Sequence, residues 1–215
     1  MKKILLYSFL LTLFVSFVSC EKDSEGISTV TKFAVITYVG DDVVYVKKGG
    51  SFTPSATSSG GETITIKGSV DVNKPGFYPI QFSATNAHGF DALAEQLVVV
   101  YEADDILAGV YDGVRVGKDL GGLVLIYPNG DGTYSCTDLL GGYYEFGVKY
   151  GNAYASPTSK MSITGNTITA DPGSDTPWGP WELSEGLKTG DVLTWKSTLI
   201  GDGFSFNVKL TKKSI

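Results

Sequence analysis

The segment 78–85 of this chain reads YPIQFSAT, and its apolar and polar side chains alternate with a period of two. In an extended chain, the apolar side chains of such a segment share one face and the polar ones share the other. The segment therefore predicts a β-strand that covers a core on one side. Pro79 has no N–H to donate to a sheet, which places it at an edge or a bulge. The turn 86–89 (NAHG) should end the strand.

The rest of the composition favours the same fold class. The chain has 215 residues, 42% of them hydrophobic and 12% aromatic, which is enough apolar material for a globular core. Glycine is abundant, and Val, Ile, Thr and Tyr recur in short runs, a mixture typical of strands joined by tight turns. No segment after residue 20 has a helical period of useful length. We predict an all-β fold.

The strand-like segments divide into two groups, separated by the short acidic joint 102–105. We predict an N-terminal β-sandwich at residues 27–103 and a second antiparallel β domain at 104–215. Turns at 129–132 (NGDG) and 201–203 (GDG) indicate consecutive hairpins, so the second domain should be a barrel or a meander sandwich. The predicted strands are 32–39, 42–47, 62–67, 78–85 and 97–101, then 122–127, 132–137, 143–148, 160–164, 192–199 and 204–210.

Residues 74–89 (KPGFYPIQFSATNAHG) also resemble a known signature. Bacterial immunoglobulin-like surface modules carry a Pro-Gly-x-Tyr pattern, followed by alternating apolar residues, an alanine, an Asp or Asn, and a glycine. Asn86 stands at the acidic position of that pattern. The resemblance implies an immunoglobulin-like β-sandwich of about seven strands. Such modules usually act as spacers or docking units.

The N-terminus has the features of an export signal. Two lysines precede the apolar run 4–18, which is shorter than the about 20 residues that a membrane-spanning helix needs. The sequence FVSC at 17–20 resembles a bacterial lipobox, with Phe17 where Leu is usual, and the acidic stretch 21–25 resembles the surface-export tag of Bacteroidota lipoproteins. We therefore predict a lipoprotein signal peptide at 1–19, lipidation of Cys20, and an acylated tether at 20–26. The resemblance implies a lipid-anchored protein of the outer membrane, exposed at the cell surface.

Charge and residue counts exclude several classes of function. The net charge is −6, and Arg115 is the single arginine, so nucleic acid is not an expected partner. His88 is the single histidine and thus the one possible base of a catalytic triad, but it stands in a predicted turn far in sequence from Cys136, which favours a solvated turn residue. A histidine-rich metal site is excluded by count. Once Cys20 is acylated, Cys136 is the one free thiol, and its strand position favours a buried, inert side chain. We predict no cofactor and no metal.

Glycoside hydrolysis needs two carboxylates about 5–9.5 Å apart beside a sugar cleft. Glu145, Glu182 and Glu185 lie near aromatic residues in the second domain, so this chemistry stays open on residue types alone. No local motif marks a hydrolase, and we expect the protein not to be an enzyme.

Sugar binding is the better supported alternative. Residues 177–182 (PWGPWE) place Trp178 and Trp181 in a proline-stiffened loop, where rigid aromatic rings can stack on pyranose faces. Either tryptophan could instead plug the end of the domain. Tyr143 and Tyr144 are neighbours on a predicted strand, so one of them should face solvent or a cavity. The candidate glycan-binding residues are Trp178, Trp181, Tyr143, Tyr144 and Glu182.

As a whole, the chain resembles a family of two-domain Bacteroidota surface lipoproteins associated with polysaccharide-utilisation systems. The resemblance implies a non-catalytic surface lipoprotein that binds a glycan, a polysaccharide or oligosaccharide, or assists a glycan-uptake transporter complex. Two alternatives remain open: a structural or adhesive partner of an outer-membrane protein, and a lipocalin-like carrier of a small apolar ligand. Fold alone does not decide between them.

Overall fold

A computed structural model describes residues 31–103 and 105–215. The predicted signal peptide, Cys20 and the acylated tether lie outside the described residues. Within the described part, no helix is both long enough and apolar enough to span a membrane.

The N-terminal part is a small β-sandwich. One sheet has four strands in the order β2-β6-β5-β4, and β1 and β3 pair as a second sheet. Tyr38 of β1 stacks on Phe82 of β5 with ring centroids 5.6 Å apart, which joins the two sheets through their core. The prediction of an immunoglobulin-like sandwich is confirmed. Its strands are β1 (Ile36–Tyr38), β2 (Val43–Lys47), β3 (Ala56–Ser58), β4 (Thr65–Lys67), β5 (Gly76–Thr85) and β6 (Asp91–Tyr101).

The alternation in β5 works as the sequence predicted. Ile80 and Phe82 are fully buried, and Ala84 is nearly so. β5 is an internal strand, but β4 pairs with it only opposite residues 81–83. Pro79 lies beyond the end of β4, so one side of the strand is locally an edge at the position where Pro cannot donate. The predicted turn after β5 is held by Asn86, whose side-chain oxygen accepts hydrogen bonds from the backbone N–H groups of His88 and Phe90.

The C-terminal part is a closed barrel in which eight strands follow one another as antiparallel neighbours and β14 pairs back with β7. This settles the alternative between barrel and meander sandwich in favour of the barrel. Large side chains fill the interior, among them Tyr111, Met161, Trp181 and Trp195, all at most 2% exposed. The strands are β7 (Gly109–Arg115), β8 (Leu123–Pro128), β9 (Tyr134–Cys136), β10 (Thr158–Thr164), β11 (Thr167–Ala170), β12 (Trp181–Thr189), β13 (Val192–Leu199) and β14 (Ser205–Lys212).

The prediction of a strand at 143–148 is wrong. A π-helical turn at Tyr143–Gly147 and a 3-10 turn at Asn152–Tyr154 occupy the connection between β9 and β10. Gly141 and Gly142 both have a φ of 68°, a left-handed conformation that ends extended structure before the tyrosines begin. A Cβ at Gly142 would also lie 2.7 Å from the backbone of Gly122, so the approach of the two loops requires glycine there.

A buried carboxylate holds this connection. Asp138 is fully buried and accepts hydrogen bonds from the backbone N–H groups of Leu140, Gly142 and Ser156, at 2.9, 2.7 and 2.9 Å. Burial raises the pKa of Asp138 to about 6, and the three N–H donors oppose that rise by favouring the charged form. Because Ser156 stands at the far end of the connection, a single side chain ties both ends together.

A hydrophobic contact joins the sandwich to the outside of the barrel. Val99 of β6 packs against Val110 of β7 and Leu125 of β8, and all three are at most 1% exposed. Val98 and Val100 point the other way, into the sandwich core. Strand β6 is therefore covered on both faces at its end, which explains the uninterrupted apolar run 97–101. Residues 34–215 accordingly form one compact unit with two cores.

We expect Asp138→Asn to destabilise the protein. An amide NH₂ in place of one carboxylate oxygen would face a backbone N–H instead of accepting from it, and the charge-assisted bonds would be lost. The expected loss is about 2–3 kcal/mol in the free energy of unfolding, measured by urea denaturation.

The matched control is Asp175→Asn, an exposed carboxylate in a loop at the same end of the barrel. It should change the free energy of unfolding by less than about 0.5 kcal/mol. Equal stability of both variants would show that Asp138 does not hold the connection.

Candidate functional site

One end of the barrel carries a group of aromatic rings. We call Tyr144, Tyr150, Tyr154 and Trp178 the four-ring surface. The ring of Trp178 lies 4.6 Å from Tyr144, 5.0 Å from Tyr154 and 6.4 Å from Tyr150, measured between centroids. Tyr150 in turn lies 5.1 Å from Tyr154 and 6.2 Å from Tyr144. Every ring of the group therefore contacts Trp178 and Tyr150.

The loop that carries Trp178 is fixed by its own hydrogen bonds. Thr176 is buried, and its hydroxyl accepts from the backbone N–H of Trp178 and from the indole N–H of Trp181. Thr176 and Gly179 also exchange backbone hydrogen bonds at 3.0 and 2.9 Å. Prolines stand directly before Trp178 and directly after Gly179 and restrict the backbone further. Trp178 is thus presented on a rigid turn.

The four rings differ in exposure. Trp178 is 43% exposed and Tyr150 is 56% exposed, while Tyr144 and Tyr154 are half-buried. The half-buried pair packs beneath the exposed pair, which gives an accessible ring surface on a packed base. Such rigid aromatic side chains lose little conformational entropy when a ligand binds.

The structure brings together only part of the predicted glycan-binding set. Trp178 and Tyr144 are in contact, but the assignment of Trp181 to an exposed platform is wrong. Of the two neighbouring tyrosines, one of which was expected to face outward, Tyr144 is the accessible one. Trp181 is the first residue of β12 and is 1% exposed, and Tyr143 is also buried. Both point into the barrel end, so neither ring is available to a ligand. Glu182 is exposed on β12, where Trp181 before it points inward and Glu182 points outward.

Sequence reasoning missed Tyr150 and Tyr154. Both belong to the stretch 149–154 (KYGNAY), which leads into the 3-10 turn. Their spacing matches neither a strand nor an α-helix, so a search for periodic elements passes over them. The available signal was the concentration of aromatic residues in a glycine-rich irregular segment.

Arg115 lies beside this group. Its guanidinium carbon is 4.5 Å from the ring centroid of Phe206, 4.9 Å from Tyr143 and 5.4 Å from Phe204. Contacts of this kind between a guanidinium and aromatic faces are cation–π interactions. Tyr144 is adjacent as well: burial raises the pKa of its hydroxyl, and the charge of Arg115 and a hydrogen bond from it act in the opposite direction.

A cleft of about 840 Å³ lies elsewhere, between the sandwich and the barrel. Its walls include Phe77 and Leu97 from the sandwich and Tyr127 and Phe146 from the barrel, with Glu145 as the one carboxylate in the lining. Burial raises the pKa of Glu145 to about 7, and the negative charge of Asp138 acts in the same direction.

The carboxylates considered for hydrolysis are not brought together. Glu145 faces a cleft lined by residues of β8, β9 and β10, and neither Glu182 nor Glu185 of β12 belongs to that lining. Two carboxylates that flank one sugar bond must lie on the same cleft.

The remaining residues with side chains that could carry chemistry occupy structural positions in the fold. Cys136 is buried in the barrel, and burial raises the pKa of its thiol to about 12, which disfavours the reactive thiolate. His88 lies in the turn after β5, and Asp131 accepts hydrogen bonds from Thr133 within a hairpin turn. Across residues 31–103 and 105–215, no group of three or more His, Cys, Asp or Glu side chains has the spacing of a metal site.

Comparisons with known proteins agree with this architecture. A family model of a C-terminal domain matches residues 101–212, and a model of the Ig-like domain of bacterial surface proteins matches residues 36–100. The crystal structure of the lipoprotein BT2262 from Bacteroides thetaiotaomicron superposes with a TM-score of 0.64 at 26% sequence identity, covering 84% of this chain and 100% of that chain. No curated protein sequence matches.

The first of these models spans more than half of the chain and covers the whole barrel. The second covers the strands of the sandwich, and the solved structure spans both parts. The chain therefore belongs to the family of proteins that carry this C-terminal domain, here preceded by a bacterial surface Ig-like domain.

Proposed function

We propose that this protein is a non-catalytic lipoprotein of the outer membrane, anchored through Cys20, that binds a glycan at the four-ring surface. The observation that carries the proposal is the contact of four aromatic rings on a rigid base, two of them well exposed, at the loop end of a filled barrel.

Stacking explains why rings in this arrangement suit a sugar. The C–H groups on one face of a pyranose are apolar, and they pack on an aromatic face while the hydroxyl groups stay in water. Trp178 offers the largest ring, and its turn is held by the bonds of Thr176, so no loop has to order on binding. Tyrosine hydroxyls at the same surface supply polar contacts at its edges.

Lipidation of Cys20 would account for the proposed location at the outer membrane. The segment 17–20 resembles a lipobox, and the solved relative is a lipoprotein. Lipidation of Cys20 would hold the barrel at the membrane without a spanning helix. At the cell surface, such a protein would meet polysaccharides before they reach an uptake system, which is the sense in which it would assist a transporter complex.

A second candidate function is docking on another outer-membrane protein. Val116 and Leu120 between β7 and β8, and Ile200 between β13 and β14, are exposed at the same end of the barrel. Aliphatic side chains contribute little to sugar stacking, whereas a contiguous exposed apolar patch is typical of protein interfaces. The lipocalin-like alternative receives less support, since tryptophan and tyrosine side chains fill the barrel interior.

We expect the double variant Trp178→Ala, Tyr150→Ala to lose glycan binding. Removing both exposed rings deletes the stacking surface and leaves the buried core intact. Affinity-gel electrophoresis of the soluble form that starts after Cys20, against a panel of polysaccharides, should show a loss of at least about tenfold for the polymer that the wild type binds.

The matched control is Phe90→Ala, an exposed aromatic residue just before β6 of the sandwich, which should bind like the wild type. Unchanged retention of the double variant would contradict the assigned site. If the wild type instead cross-links to an outer-membrane protein through Val116 or Leu120 and retains no polysaccharide, the docking function would replace glycan binding.

Because the proposed role is non-catalytic, the titration of Glu145 should affect stability alone. The pKa of this group rises from 4.5 in the unfolded chain to about 7 in the folded protein. The folded protein therefore binds this proton more tightly than the unfolded chain. The stability that this provides is fully present below pH 4.5 and is lost as the pH rises through 7. Glu145→Gln removes the titration, so the variant should gain stability relative to the wild type between pH 5 and pH 8, by about 1–2 kcal/mol after allowance for partial solvent contact.

Thermal unfolding of both proteins across this pH range measures the effect, with the exposed Glu182→Gln as control. A stability difference that stays constant from pH 5 to pH 8 would mean that Glu145 titrates in its ordinary range.

A further inference from the structure

Arg115 is the single arginine of the chain, and its surroundings are unusual for a structural arginine. It is the last residue of β7, where its backbone N–H donates to the carbonyl of Leu120 at 2.9 Å. The guanidinium then lies against three rings, those of Tyr143, Phe204 and Phe206, at 4.5–5.4 Å. Backbone and rings together fix the position of the positive charge.

The polar groups of this arginine are largely unused by the protein. The ion pairs among the described residues are Lys48–Glu102 and Lys213–Asp112, and neither involves Arg115. The polar side chain recorded beside the guanidinium is the hydroxyl of Tyr144. A guanidinium carries five N–H donors, and one hydroxyl can accept only a small part of them.

The unused N–H donors of Arg115 lie close to the four-ring surface. Arg115 lies against the rings of Tyr143 and Phe206. The ring of Tyr144 is 4.8 and 6.3 Å from those two rings and 4.6 Å from that of Trp178, measured between centroids. The stacking rings and the cation are therefore one ring apart on the same end of the barrel. Arg115 is also only partly exposed, so its charge is less screened than that of a lysine on the outer wall.

We infer that the glycan bound at the four-ring surface is acidic, and that Arg115 binds its carboxylate or sulfate group. The inference rests on the proposed function and adds the class of ligand. The planar guanidinium matches both oxyanions through two parallel N–H donors. Because the rings already hold the side chain, little rotational freedom is lost on binding. The acidic net charge of −6 makes a local cation necessary for such a ligand.

The test compares polymers that differ only in charge. Polygalacturonate and its carboxyl-reduced neutral form present the same backbone with and without carboxylates, and a sulfated galactan and its desulfated form make the second pair. Isothermal titration of the soluble form should show at least tenfold tighter binding to the charged member of one pair. The pair that shows it identifies carboxylate or sulfate as the group recognised.

Two substitutions of Arg115 separate charge from geometry. Arg115→Gln should abolish the preference for the charged polymer, and Arg115→Lys should retain part of it, since an ammonium keeps the charge but not the paired donors. The control is Lys209→Gln, which removes one positive charge from the outer face of β14 and should leave the preference unchanged. Melting temperatures of all variants identify any loss of folding, and the lysine variant carries the test if the glutamine variant unfolds.

The failures of the two proposals are distinguishable. Equal binding of charged and neutral polymers by the wild type would overturn the acidic ligand and leave the four-ring surface standing, provided that the loss of Trp178 and Tyr150 still abolishes that binding. A preference that survives in Arg115→Gln would overturn the role of Arg115. Binding of no polymer of either pair and none of the wider panel would overturn both proposals.

Discussion

The buried carboxylate of Asp138 is the constraint on which the aromatic end of the barrel depends. A closed barrel has no free strand edges, so its variable features are confined to the loops at its two ends. The longest of these loops, between β9 and β10, begins with two left-handed glycines and has little strand pairing of its own. Asp138 fixes it by gathering N–H groups from both ends of the segment. The three tyrosines of the four-ring surface are all carried by this loop, so their placement depends on one buried acceptor, while Thr176 fixes the turn of Trp178.

Local patterns predicted the elements of the fold, and non-local contacts decided how those elements combine. The alternation around Phe82 needs no knowledge of the rest of the chain, and it identified β5 correctly. Closure of the barrel depends on the pairing of Gly113 with Leu210, almost a hundred residues apart, and no local pattern encodes it. In the segment after Gly142, the local pattern predicted the wrong element. Its aromatic residues resemble a strand in composition, but the backbone before them has already left the extended region.

The sequence predicted only the part of the site where residues that restrict the backbone are present. Proline on both sides of the Trp178 turn indicates a rigid loop, but it does not decide which of the two nearby tryptophans is exposed. Trp181 looks equivalent in the sequence, yet it begins β12 and the alternation of that strand turns it inward. Tyr150 and Tyr154 have no periodic signal, because an irregular loop brings them to Trp178. The sequence shows Arg115 only as the single arginine, because the three rings around it come from other parts of the chain.

The filled interior of the barrel has a consequence for affinity. Trp181 and Trp195 occupy the space in which barrel proteins of this size enclose a ligand, so the proposed glycan would bind on the outside. An open ring surface covers only one side of a sugar and should give modest affinity per site. On the proposed function, the lipid anchor compensates for this: many copies displayed on one membrane engage successive units of the same polymer, and the effective concentration after the first contact raises the overall avidity.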